Sequence, residues 1–199
     1  MLIINNKALK ISNKWLNPIA SPEPIPPTPT FDEVIIGTQT WMAKNLAIDD
    51  GGSGILHFDN VTANGVNFGT QYYYTRDAAD RVADLIDGWH LPSEDEFRTL
   101  LSYVGSDSGI KLKSNSGWND NGNGTDYYGF TALPVGLAYL AGPTEEYELI
   151  SIGGSISIRS STDFGAFRNT LYMSYEYSDA RINSTYSSYG VSVRLIKDT

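Results

Sequence analysis

No cysteine occurs in the 199 residues. That absence excludes disulfides, thiolate metal sites, cysteine nucleophiles and cysteine lipid anchors together. Histidine is nearly absent: the chain has two, His57 and His90, and neither has a second histidine at metal-ligand spacing. Positive charge is sparse. Fourteen Lys and Arg stand against 23 Asp and Glu, a net charge of -9 that argues against nucleic-acid binding, which rests on clustered cations. No run of 18 apolar residues exists, so no segment reads as a membrane-spanning helix. GxSxG, GxGxxG and P-loop patterns are missing where they would count. The first residues, MLIINNKALKISNKWLNP, lack the charged region and unbroken apolar stretch of a secretory signal.

What is present describes a globular domain with an appendage. Apolar residues are 41%, and 19 glycines announce many turns. Residues 2–16 alternate loosely between apolar and polar, with Leu2, Ile4, Leu9, Ile11 and Trp15, and predict one or two short strands that need a partner. Residues 17–30, NPIASPEPIPPTPT, hold six of the nine prolines and read as a semi-rigid spacer. The division is an attachment or oligomerisation segment at 1–16, a linker at 17–30 and a main domain at 31–199.

Within the domain, residues 34–46 predict a hairpin turning near Gly37 and Thr38. Residues 51–70 read as loop. Residues 72–86 take helical spacing, with Ala78, Ala79, Val82, Ala83 and Ile86 on one face. A second helix follows Ser93, which with Glu96 has capping-box spacing; Phe97, Leu100, Leu101 and Val104 form its apolar stripe and Gly105 ends it. Loops and short strands fill the rest. Two helices followed by strands predict an α+β fold.

Candidate chemistry is thin. His90 reads as a structural residue beside Trp89. Glu94, Asp95 and Glu96 are consecutive, so they do not converge on one point and serve better as charges at a helix start. Residues 118–130, WNDNGNGTDYYGF, place Asp120, Asn121, Asn123 and Asp126 in a Gly-rich loop. Such oxygens suit calcium, but the spacing is not that of an EF-hand, and the same residues are ordinary turn formers. No other cofactor is expected.

The informative stretch is LYMSYEYSDARINSTYSSYG, residues 171–190. Tyr172, Tyr175, Tyr177, Tyr186 and Tyr189 are five of the chain's 13 tyrosines, and no lysine occurs between Lys113 and Lys197. Tyrosine presents a large amphipathic surface with two side-chain torsions to freeze, and Ser, Asn and Gly adapt their hydrogen bonds. Lysine loses more freedom when immobilised. An extended chain would set Tyr172, Ser174 and Glu176 on one side and Leu171, Met173, Tyr175 and Tyr177 on the other. Periodicity does not say which side faces out. Ordinary strand residues are the alternative, since tyrosine favours strands.

GTQTWMAKNL (37–46), GWHLPSEDEF (88–97), TDYYGFTALPVG (125–136), RSST (159–162) and YGVSVRLIKD (189–198) occur in this order. Together they resemble the Fibrobacter succinogenes major paralogous domain family, across about residues 31–199. The resemblance implies a C-type lectin-like fold, related to the formylglycine-generating-enzyme fold. The chain departs from the family pattern at Arg159, where an aromatic is usual, at Leu195, where Cys is frequent, and at Leu85, Ile86 and Asp87, where Cys-Pro often precedes the Gly-Trp-His-Leu-Pro motif. Without cysteine, a likeness to that enzyme is one of fold and not of activity.

Members of this family are among the targets of diversity-generating retroelements, which rewrite a C-terminal segment. The resemblance therefore implies a non-enzymatic binding protein whose variable region spans about 159–190. The expected contact residues are Arg159, Asp163, Phe164, Phe167, Arg168, Asn169, Tyr172, Ser174, Tyr175, Tyr177, Asp179, Arg181, Asn183, Thr185, Tyr186, Ser187 and Tyr189, with Ala166, Leu171, Ala180 and Gly190 as fixed scaffold. The expected partner is a bacterial surface protein or glycan, with no nucleic acid and no membrane insertion, and with homo-oligomerisation through the N-terminal segment. A phage tail or fibre is the expected location, and a bacterial cell surface the alternative. An assembly module with tyrosines in a subunit contact, and an enzyme with paired carboxylates, are the competing readings.

Overall fold

The computed structural model describes residues 30–141 and 146–199. The expected attachment segment, and all but the last residue of the spacer, lie outside the described residues. The described chain is α+β. Strand β1 (Glu33–Ile36) turns through Gly37, at φ 64°, into antiparallel β2 (Gln39–Met42), as the hairpin pattern predicts. That backbone angle is open to glycine at little cost. β2 pairs with the last strand, β13 (Ile196–Lys197), which pairs with β7 (Trp89–His90). The first and last described strands thus share one four-stranded sheet, in the order β1-β2-β13-β7.

Residues 51–70 are more structured than a loop. They contain β3 (Ile55–Phe58) and a small hairpin of β4 (Thr62–Ala63) and β5 (Val66–Asn67), turned by Asn64 and Gly65 at positive φ. The helix predicted over 72–86 begins late. Gln71–Tyr74 is β6, paired with β3, and α1 runs only from Arg76 to Ala83. Tyr73 and Tyr74 are fully buried there, their hydroxyls donating to the Val135 and Ile48 carbonyls. A distant strand partner overrides the local helical spacing. The apolar face of α1 is as expected: Ala78, Ala79, Val82 and Ala83 are buried.

Helix α2 (Glu94–Val104) follows the reading closely. The Ser93 hydroxyl accepts from the Glu96 N–H, the Glu96 carboxylate accepts from the Ser93 N–H, and Gly105 ends the helix at φ 73°. Phe97, Leu100 and Val104 are buried, with Phe97 stacked on Trp41 at 5.9 Å. Leu101 is only partly buried. A third helix, α3 (Ser108–Leu112), was not anticipated; it is one turn long and includes Gly109. The strands that follow are not all short. β8 (Leu137–Ala141) and β9 (Glu146–Ile150) form a hairpin, and β10 (Ser155–Phe164), β11 (Phe167–Ser174) and β12 (Arg181–Tyr186) form an antiparallel sheet. Trp41, Phe97, Leu112, Trp118, Phe130, Ile158 and Leu171 belong to one core cluster; α1, Tyr74, Val193 and Leu195 belong to another.

His90 joins three elements. Its Nδ1 lies 2.6 Å from Asp198 Oδ1 and its Nε2 lies 2.8 Å from Glu96 Oε1. Burial lowers its pKa, but the bonds to Glu96 and Asp198 outweigh that and leave it above the ordinary 6.5. Burial raises Glu96, but the Ser93 N–H and His90 outweigh it and leave it below the ordinary 4.5. The histidine contribution is complete below 6.5 and is lost as pH rises through the raised native value; the Glu96 contribution is complete above 4.5 and is lost as pH falls through the lowered one. The unfolding temperature of the chain should therefore peak between those values, and His90→Gln should flatten the decline on the alkaline side. Trp118 is buried and donates from Nε1 to Ser114 Oγ at 3.0 Å. Trp118→Ala should cost about 3–5 kcal/mol in a denaturant titration.

Candidate ligand-binding face

The sheet β10-β11-β12 carries most of the expected contact residues. Its register aligns Ile158, Leu171 and Ile182 in one row and Arg159, Thr170 and Asn183 in the next; Tyr172 stands opposite Ser157 and Arg181. Residues paired across strands share a face, and successive rows alternate. Ile156, Ile158, Leu171 and Met173 are buried in the core, with Ile182 packed against it. Tyr172 is turned to the opposite face and half-exposed. The expected grouping of Tyr175 and Tyr177 with Leu171 and Met173 on one side does not occur. β11 ends at Ser174, so the alternation stops before those tyrosines.

None of the five C-terminal tyrosines is buried. Tyr177 is 37% exposed and Tyr186 49%, while Tyr172, Tyr175 and Tyr189 are half-buried. Tyr73 and Tyr74, by contrast, are at 0%. The exposed aromatics of this sheet and its turns form two groups; Tyr103 and Tyr127, also exposed, pack on Tyr128 elsewhere. At the β10–β11 turn, Phe164 is 74% exposed and stands in register with Phe167 and Tyr186. Ring contacts run from Phe167 to Tyr186 at 4.5 Å, on to Tyr189 at 5.3 Å and on to Tyr139 at 6.2 Å. At the other end of β12, the Arg181 guanidinium lies 3.6 Å over the Tyr177 ring, and Tyr175 Oη contacts Glu176, which raises the phenol pKa. Asn183 and Thr185 lie along β12 between the two groups.

The turn between β11 and β12 is fastened from below. Lys113 is buried and donates from Nζ to the carbonyls of Ser174, at 3.0 Å, and Tyr177, at 3.4 Å. Its ammonium also lies 4.9 Å over the Trp118 ring, and burial lowers its pKa. α3 grips the same turn: Ile110 N–H donates to Ser178 O, Ala180 N–H to Ser108 Oγ, and Ser108 N–H to Asp179 Oδ1. A Cβ on Gly109 would stand 2.8 Å from the Ser178 carbonyl, and one on Gly122 would stand 2.6 Å from Tyr175. Both glycines permit an approach that no side chain would.

Three expected contact residues are interior. Arg159 is fully buried and donates to the carbonyls of Tyr74, at 3.1 Å, and Tyr189, at 2.5 Å. Arg168 is buried and clamps Asp80, at 2.6 Å, and Asp163, at 2.8 Å. Ser174 is buried and its hydroxyl accepts from the Glu176 N–H. All three are closed off from solvent, so a partner at the surface would not reach their side chains. Asn169 is half-buried and bonds Glu94 and Ser184, and Ser187 is half-buried as well. Asp163 and Asp179 are exposed. Of the expected scaffold positions, Leu171, Ala180 and Gly190 are buried, whereas Ala166 is exposed in the turn.

In the candidate calcium loop, Asn123 Oδ1 accepts from the Trp118 N–H, and the Asp126 carboxylate accepts from the Thr131 N–H and hydroxyl. Asp120, Asn121 and Asp126 take positive φ. These residues shape the loop that cradles Tyr175. Among the described residues, no group of three or more His, Cys, Asp or Glu could hold a metal ion. Sequence reasoning missed the β8–β9 hairpin. It supplies Tyr139 to the aromatic run, and Tyr147 Oη donates to Ser188 O at 3.0 Å. No spacing ties those tyrosines to a segment so far along the chain.

Neither the curated proteins nor the solved structures hold a match to this sequence. A family model does match it, that of the Fibrobacter succinogenes major domain, over residues 34–197. The match takes in every described element from β2 to β13 and the whole of the aromatic face, and the chain belongs to the Fibrobacter succinogenes major domain family.

Proposed function

We propose that this chain is a non-enzymatic binding protein of C-type lectin-like architecture, whose C-terminal sheet and turn form a diversified contact face. The observation that carries this reading is the division of residues 171–190. Leu171, Ala180 and Gly190 are buried, while all five tyrosines reach the surface. A buried frame that keeps its shape while surface positions vary is the arrangement that diversification of a C-terminal segment requires. Exposed phenols beside Ser, Asn and Asp suit recognition of varied partners at low entropic cost. The core holds the apolar rows of the sheet in place beneath the face.

The proposed setting is a phage tail or fibre that recognises a bacterial surface protein or glycan. The spacer at 17–30 would hold the face away from its anchor. The labelled chain incubated with a panel of intact bacteria tests the reading. Tyr175→Ser and Tyr186→Ser should each weaken retention on the cells that bind, by about tenfold or more for an anchoring aromatic, while the unfolding temperature stays nearly constant. Equal retention by wild type and both variants would remove the face from the function. In genes of related strains, differences should concentrate at exposed positions of 159–189 and avoid Leu171, Met173 and Ala180. An even spread would favour an assembly module instead.

A further inference from the structure

The loop after β2, residues 43–47, stands over a cavity of about 310 Å³. Phe68 and Leu133 contribute apolar wall, Lys44 and Ala47 stand at exposed positions on the loop, and Arg194 lines the interior. The walls are held in place: Leu46 N–H donates to Val193 O at 2.8 Å, Ile48 N–H to Tyr74 Oη at 2.9 Å, and Asn45 Nδ2 to Ser192 Oγ at 3.3 Å. The volume is at the lower end of the range used for small-molecule sites, about 300–1,000 Å³.

The charge of this cavity is unlike that of the chain. The net charge is -9, yet no Asp or Glu lines the cavity and two cations do. Lys44 pairs with Asp32 at 2.6 Å, but among the described residues no carboxylate lies within hydrogen-bonding distance of Arg194. It is fully buried and donates to three neutral oxygens: the Phe130 carbonyl, Asn45 Oδ1 at 2.7 Å and Thr131 O at 3.4 Å. Its guanidinium lies 4.3 Å from the centre of the Phe130 ring, and its Nε has no partner among the described residues. Burial pulls its pKa down to about 9. Asp126 attracts the guanidinium at longer range, but every hydrogen-bond partner is a neutral oxygen, so the buried charge is only partly compensated. An anion in the adjoining space would offset the remainder across the low-dielectric interior.

We propose that this cavity is a binding site for a small organic carboxylate, its apolar body against Phe68 and Leu133 and its charge drawn to Arg194 and Asn45. The site is separate from the aromatic face, since no residue of β10, β11 or β12 lines it. Its fate does not depend on what that face binds.

Sodium benzoate is the probe, with benzamide as the uncharged match and sodium chloride as the ionic-strength match. Thermal unfolding of the full chain is followed as each is titrated. Benzoate should raise the midpoint saturably, with an apparent affinity at least about tenfold above that of benzamide. Ala47→Trp, a change at an exposed position on the cavity, and Arg194→Met, which keeps bulk without charge, should each abolish the shift. If Arg194→Met does not fold, the Ala47→Trp variant and the benzamide comparison still decide. A shift equal for benzoate and benzamide, one reproduced by chloride, one that survives Ala47→Trp, or no shift at all would overturn the proposal.

Discussion

Strand alternation is the constraint on which the rest of this structure depends. Leu171 and Met173 enter the core from β11, so Tyr172 between them cannot. The neighbouring strands obey the same rule, because the register sets Ile158 and Ile182 beside Leu171. A slip of one residue would turn Tyr172 and Arg181 toward the core and turn Leu171 and Ile182 away from it. The apolar rows therefore fix the register, and the register fixes which side chains are displayed. Chemistry on the displayed side is free to vary within that limit, since changes at Asn183 or Thr185 leave the buried row intact.

Alternation stops where β11 ends, and a different device takes over. The turn carrying Tyr175 and Tyr177 has no strand to orient it, so its carbonyls are held by the buried Lys113 ammonium and by α3. An ammonium withdrawn from water is costly unless its protons are used, and here two of them meet carbonyls while Trp118 covers the charge. Ordering the turn in advance lowers the entropy that a partner would otherwise have to remove on binding. Lysine is absent from the displayed segment and is used instead to hold that segment from beneath.

Local signals were legible where local physics decides. The Ser93–Glu96 capping box, the Gly37 turn and the apolar face of α1 depend on residues within a few positions of one another. What failed depends on distant partners. Tyr72, Tyr73 and Tyr74 precede a helical pattern, but pairing with Ile55–Phe58 makes them strand. α3 contains a glycine that disfavours helix, and the Ser178 carbonyl across the turn explains why glycine stands there. Arg159 and Arg168 were assigned to the face because they fall in the C-terminal segment, about 159–190, that the family resemblance marks as variable. Their burial follows from Tyr74, Tyr189 and Asp80, none of which the surrounding sequence announces.

Arg159 and Arg194 show that burial, and not residue type, bounds what can vary. Both are fully buried, both reach carbonyl oxygens rather than carboxylates, and burial pulls both pKa values down to about 9. The Nε and Nη1 of Arg159 have no partner among the described residues. Two of its nitrogens therefore face packing atoms only. The frame accepts a cation at that place because two carbonyls, from Tyr74 and Tyr189, take its remaining protons. A shorter polar residue would fill less of the space and reach neither carbonyl. Size and reach thus govern substitution at position 159, whereas one layer further out, at Asn183 or Tyr186, solvent satisfies whatever polar group is placed there.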